Sequence, residues 1–273
     1  MGLKLMYITN QIAVAKIAEQ AGVDRIWIDL ETIGKEKRQP GDTVKSNHFI
    51  SDIRPIKNVL QTSELLVRIN PVHSGTEEET DQVIDAGADI IMLPYYKSID
   101  EVQTFLECVR GRCRTCLLLE TKEAHRCLNS TLELKGIDEY YIGLNDLHLS
   151  YEKKFMFELL TDGVLEDITN KLKARNMPFG FGGVARLGYG ELKAEMILAE
   201  HCRVGSERVI LSRSFCRAEQ YNDNPEKFEH EFNEQVKLIR DYEDYLKRQS
   251  TDFFIDNYKM TKQVIQTIVD KRD

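Results

Sequence analysis

Eight short β-rich runs, LKLMYIT, RIWIDLE, ELLVRIN, DIIMLP, TCLLLE, EYYIGL, MPFGFGG and RVILS, follow one another along the chain, with helical stretches between them. This alternation constrains the fold more than any other feature, because strands joined by helical crossovers lie parallel in one sheet. The intervening stretches, such as QIAVAKIAEQAG, TEEETDQVIDAGA and VLEDITNKLKARN, repeat apolar residues at three and four and close on Gly or Asn. Eight such units in 273 residues, with no Pro/Gly/Ser-rich linker, predict an α/β fold of the closed (β/α)8 TIM-barrel type rather than an open doubly wound sheet.

Two segments fall outside this repeat. The loop after the second run, TIGKEKRQPGDTVKSNH, is long, polar and basic, as functional or mobile barrel loops often are. After the eighth run, PEKFEHEFNEQVKLIRDYEDYLKRQ reads as a long helix and TDFFIDNYKMTKQVIQTIVDKRD as a second. The expected organisation is a barrel domain over residues 1–220 and a C-terminal helical extension over 221–273, the latter an arm that packs in a homo-oligomer.

A net charge of −8 with 30% charged residues argues against a nucleic-acid surface and gives no polybasic membrane stripe. The start, MGLKLMYITNQIAV, lacks the layout of a signal peptide, and no run reaches the length of a membrane span, so a cytoplasmic protein is expected. Cys108, Cys113, Cys116 and Cys127 overlap a plant-type iron–sulfur spacing. Their distribution over a helix, a strand and the next helix argues instead for reduced, packed thiols.

In a parallel barrel the C-terminal ends of the strands face one another around a single mouth. The polar residues at those ends are Asp29 and Glu31, Arg68 and Asn70, Glu120, Asn145 and Asp146, Gly182 and Gly183 with Arg186, and Ser212 with Arg213. A hard cation such as Mg2+ or Mn2+ takes oxygen ligands and is often held by one or two carboxylates plus substrate oxygens. Glu120 and Asp146 supply that minimum, and no His/Cys cluster of zinc spacing accompanies them. The guanidinium of Arg68 can bind a carboxylate bidentately or neutralise an oxyanion, or else pair with Glu31 or Glu120. GFGGVARLGYG and VILSRS suggest a second, anion-binding pocket in which Arg186, Ser212 or Arg213 contacts the substrate.

The segments DLE (29–31), LLVRIN (65–70), QVIDAGADIIMLP (82–94), LLLET (117–121) and IGLNDL (142–147) together resemble the HpcH/HpaI aldolase and citrate lyase β-subunit family, over roughly residues 10 to 215. The resemblance implies that Glu120 and Asp146 hold a divalent metal and that Arg68 contacts the pyruvate-derived oxygen. It also implies that backbone amides of the G-x-x-D turn, at Gly143, Asn145 and Asp146, receive a 2-oxo acid carboxylate. The implied activity is a metal-dependent carbon–carbon lyase that cleaves or forms a bond between a 2-oxo acid enolate and an aldehyde. Alternatives are an acyl-CoA lyase of the citrate-lyase type and a catalytically altered barrel that only binds.

Departures from the family pattern are local. Thr32 stands where the aldolases carry an acid/base His, although the Asp associated with that His in Q-V-x-D-x-G-A is present as Asp85. Leu118 stands where Gln is usual, and the D-L-E-D of the citrate-lyase branch is absent. A replacement for the proton carrier is therefore required. His48, at the end of the long loop, is the candidate imidazole, with Glu31 or a water held by the metal as alternatives.

Overall fold

The computed structural model describes residues 2–35, 47–212 and 214–272. Strands β1 (Lys4–Ile8), β2 (Arg25–Asp29), β3 (Glu64–Arg68), β4 (Ile90–Leu93), β5 (Arg114–Leu119), β6 (Glu139–Ile142), β7 (Phe179–Val184) and β8 (Arg208–Leu211) form a closed parallel barrel in sequence order. The ring closes where β1 pairs with β8, Lys4 opposite Arg208 and Met6 opposite Ile210. The surrounding helices are α1 (Ile12–Gln20), α2 (Ile53–Val59), α3 (Thr76–Ala86), α4 (Ile99–Val109), α5 (Lys122–Thr131), α6 (Leu144–Ser150), α7 (Val164–Ala174) and α8 (Ala194–Val204).

Both faces of each strand are covered, so the runs are apolar almost throughout, yet strand alternation still divides them. Ile26, Ile28, Leu65, Val67, Leu117 and Leu119 join the layer under the helices, whereas Met6, Trp27, Leu66, Met92, Cys116, Leu118 and Tyr141 fill the barrel interior. Because the period is two, β2 turns Arg25, Trp27 and Asp29 inward in succession. The interior is therefore tiered. At the N-terminal end lies a buried ion cluster, with Arg25 on Glu139 at 2.5 and 2.9 Å and on Glu64 at 2.7 Å. Above it is the apolar tier, and above that the charged residues of the mouth. The same alternation separates the cysteines, since Cys116 faces the interior while Cys113 and Cys127 pack in the outer layer.

After β8 come a short helix, α9 (Gln220–Asp223), and two long ones, α10 (Pro225–Leu246) and α11 (Thr251–Asp270). Asn224 caps α10 by accepting from the Lys227 N–H at 3.0 Å, and Pro225 occupies the first turn. Phe228, Phe232, Val236, Ile239 and Leu246, at helical spacing, enter the main core, and α10 packs between α1 and α8. Arg240 donates to the Leu3 carbonyl at 2.6 Å while Glu243 accepts the Leu3 N–H at 2.5 Å. The closing helix of the ring thus comes from the segment expected to be an extension. Helix α11 lies on the outside of α8, with Ile265 buried and Asn257 donating to Glu200 at 3.0 Å. No helix among the described residues is long and apolar enough to cross a membrane.

Helix α8 carries a fully buried histidine, His201, stacked on Phe181 with centroids 3.7 Å apart. Its Nδ1 meets the Ser206 hydroxyl at 2.8 Å, and its Nε2 has no hydrogen-bond partner among the described residues. Burial pushes the imidazole down to about 3 from its ordinary 6.5. Between those values the unfolded chain takes up a proton that the folded chain refuses. The contribution of His201 is therefore harmless above pH 6.5 and destabilises progressively as pH falls toward 3. His201→Gln should reduce the pH slope of stability in this window by about 1.4 kcal/mol per pH unit. Urea unfolding of parent and variant between pH 7 and 4.5 measures the difference, and identical slopes would refute it.

Candidate active site

At the C-terminal end of β2 and β3, Asp29 and Arg68 are register partners and both point inward. Arg68 grips Asp29 with two parallel bonds of 2.8 Å from Nε and Nη2, and its Nη1 lies 3.2 Å from Glu31. The guanidinium sits 5.4 Å above the Trp27 ring, which supports it from the apolar tier. Burial alone would raise the Asp29 pKa, but the charges and hydrogen bonds of Arg68 and Lys35 outweigh it and hold the carboxyl well below the usual range. Arg68 answers in kind. Burial disfavours its charge, and Asp29, Glu31 and Glu120 more than restore it.

Lys35 was not apparent as a site residue in the sequence, where it is one cation in a basic loop. The chain reverses after Glu31 through Gly34, whose φ of +75° is the left-handed conformation that glycine adopts without strain. This reversal turns Lys35 back onto Asp29 at 2.8 Å, with Glu31 at 3.8 Å, and leaves it only 8% exposed.

Across the mouth, Glu120 follows the last residue of β5 and is 2% exposed. Its Oε1 accepts the N–H of Tyr95 at 2.9 Å, which Tyr95 presents from a left-handed backbone with φ 51°. Its Oε2 faces Gly143. A Cβ at residue 143 would stand 2.8 Å from Oε2 and 2.9 Å from the Glu120 Cβ, so only glycine permits this approach. Asp146, buried at 8%, lies in the first turn of α6 immediately beyond. Among the described residues no three His, Cys, Asp or Glu side chains form a metal-holding group. Two buried carboxylates, Glu120 against Gly143 and Asp146 three residues further along, fit by their chemistry a hard dication that also takes oxygens from its substrate.

The remaining sequence candidates divide. The Gly143 N–H continues the sheet to the Leu119 carbonyl at 3.0 Å, so its part is to make room rather than to donate. Asn145 is exposed in the first turn of α6, ahead of the first intrahelical bond from Leu147 to Gly143. His48 reaches the end of β2, where its Nδ1 accepts the Asp29 N–H at 3.1 Å. The returning loop is pinned there by Asn10, which donates to the Asn47 carbonyl at 3.3 Å and to Asp52 at 2.9 Å.

Thr32 is exposed, and its N–H is held by Asn70 at 2.9 Å. Asp85 is exposed in the last turn of α3, on the outer ring, and this chain does not bring it to the mouth, because a barrel helix ends at the face opposite the strand C-termini. Arg186 donates to the Phe215 carbonyl and approaches Cys216 Sγ and Glu231 at 3.3 Å each, which makes it a clasp between the loop after β7 and α10. The Ser212 hydroxyl meets that of Ser214 at 2.8 Å. Arg213 lies outside the described residues.

The profile of the HpcH/HpaI aldolase/citrate lyase family matches residues 4–155. Among solved structures, the chain is similar to an HpcH/HpaI aldolase from Desulfitobacterium hafniense DCB-2, with 16% identity and a TM-score of 0.63, over 83% of this chain and 92% of that one. A HpcH/HpaI aldolase/citrate lyase family protein from Burkholderia cenocepacia J2315 gives 14% and 0.61 over 83% and 95%. The citrate synthase SbnG gives 13% and 0.61 over 83% and 91%. At such identities these likenesses speak for the fold alone. A search of the curated proteins by sequence found no match. With the profile spanning more than half of its length, the chain belongs to the HpcH/HpaI aldolase/citrate lyase family.

Proposed function

We propose that the protein is a divalent-metal-dependent lyase that joins or cleaves the carbon–carbon bond between a 2-oxo acid enolate and an aldehyde. The observation that carries this reading is the Glu120 carboxylate, oriented by the Tyr95 N–H and seated against Gly143 beside Asp146, at the same mouth as the clamped Arg68. Glu120 and Asp146 would hold Mg2+ or Mn2+, which when bound supplies Lewis-acid charge at the 2-oxo oxygen.

The residues of the chain do the rest. Arg68 is fixed by Asp29 along one edge of its guanidinium, so its charge is preorganised and needs no rearrangement as negative charge grows on the substrate oxygen. The N–H groups of Asn145 and Asp146 in the first turn of α6 suit the substrate carboxylate. The buried tier of Trp27, Leu118 and Tyr141 closes the barrel below and keeps water from entering that way.

The test is exchange of pyruvate methyl protons in deuterated water, followed by NMR with Mg2+ or Mn2+ and after chelation. Metal-dependent exchange is expected, and silence with every 2-oxo acid tried would favour a barrel that only binds. Arg68→Lys keeps the charge but cannot make two parallel bonds to Asp29. It should slow exchange about 10²-fold or more, as loss of one oxyanion donor does. A near-normal rate would make Arg68 a structural residue.

A further inference from the structure

We infer that Lys35 is the proton carrier of the aldol step, delivering its Nζ proton to the aldehyde oxygen as the carbon–carbon bond forms. This rests on the lyase reading above and names a residue that the family pattern does not assign. The argument begins with the groups gathered around Asp29. Thr32, in the position of the usual histidine, is exposed and tied to Asn70. The Nδ1 lone pair of His48 is occupied by the Asp29 N–H, so the imidazole would have to break that bond to act as a base. Asp29 is a carboxylate fixed by Arg68 and Lys35, and Glu31 is a carboxylate between the same two cations. Arg68 does not release a proton in proteins. Lys35 is the remaining described side chain of this cluster that carries a transferable proton, since an ammonium, unlike a guanidinium, can give one up within a protein.

Placement agrees with the role. Lys35 Nζ and Arg68 Nη2 share one oxygen, Asp29 Oδ2, at 2.8 Å each, so the two nitrogens are at most 5.6 Å apart. In an aldol product the former 2-oxo oxygen and the new hydroxyl are in a 1,3 relation, and two donors at this separation can serve one oxygen each. In the condensation the enolate carbon attacks the aldehyde carbon, and the carbonyl pair moves to oxygen. That oxygen takes the Nζ proton, and the neutral amine regains a proton from solvent. Cleavage runs the same path backwards and requires the neutral amine. Asp29, Glu31 and Arg68 face Lys35, and His48 packs at Asp29.

Lys35→Met and Lys35→Arg, with folding checked by circular dichroism, test this in two assays. One is metal-dependent proton exchange of pyruvate. The other is condensation of pyruvate with whichever of a panel of small aldehydes, glycolaldehyde among them, the parent protein uses best. Condensation and cleavage should fall about 10²-fold or more in both variants, the range for loss of a positioned acid or base, and exchange should fall by much less. Recovery of condensation by Lys35→Arg would mean that charge alone suffices, and loss of exchange together with condensation would reduce Lys35 to a support for Asp29 and Arg68. Either result overturns the inference, as does unchanged condensation in Lys35→Met. Absence of exchange or of condensation in the parent protein would instead overturn the lyase reading itself.

Discussion

Glu120→Gln and Asp146→Asn should each abolish divalent-metal binding and all metal-dependent turnover while leaving the barrel folded. Glu120 follows the end of β5 and Asp146 lies in the first turn of α6, and neither belongs to the apolar clusters that hold the strands together. An amide in place of either carboxylate keeps the shape but removes the anionic oxygens that a hard cation requires. The expected loss of affinity exceeds the roughly 10–100-fold typical of removing a group that only orients a ligand. Gly143→Ala provides a separate test, because it changes no donor. Its Cβ would stand 2.8 Å from Glu120 Oε2 and displace the carboxylate, so metal affinity should fall here too. Calorimetric titration with Mn2+ decides the matter, and undiminished affinity in both acid variants would remove the metal-site assignment.

The second large effect is on stability. Glu139→Gln should destabilise the barrel by about 3–5 kcal/mol, the range for breaking a buried ion pair. Glu139 is 5% exposed at the closed end of the barrel, where it accepts both Nη groups of the fully buried Arg25 and lies 3.2 Å from Arg208. An amide there leaves Arg25 with Glu64, itself shared with Arg114 at 2.6 Å, and Arg208 with Glu207 at 3.8 Å. Burial disfavours charge on Arg25, and Glu139 reverses that, so the pair is coupled. A loss of this size is a large part of the 5–15 kcal/mol that ordinarily separates folded from unfolded domains. Urea unfolding at pH 7 measures it, and a change below about 1 kcal/mol would show that the cluster tolerates an unmatched charge.

The eight-stranded barrel was legible in the sequence because its signal is local. Each β-rich run alternates with a helical one, and two-residue periodicity turns Asp29, Arg68 and Glu120 inward on strands already recognisable as such. What the alternation leaves open is which charged group meets which. Arg68 had Glu31 and Glu120 as readable partners, and its Nη1 does reach Glu31 at 3.2 Å, but its fork closes on Asp29, its neighbour across the β2–β3 register. Lys35 could not be told from the other cations of its loop, because its burial follows from one left-handed residue at Gly34 and from a carboxylate waiting on the strand. His48 reached the end of β2 by way of Asn10, in the loop after β1, and the contact with Asp29 occupies its Nδ1. Helix α10 reads alone as an amphipathic appendage, and only closure of the ring shows its apolar stripe to be the missing wall between α1 and α8. Sequence by itself determined the strands, their facing and the acids at their ends, since these depend on neighbours within a few residues. The tertiary structure decided the ion-pair partners, the turned-in lysine and the closing helix, because each depends on groups that meet only once the barrel has closed.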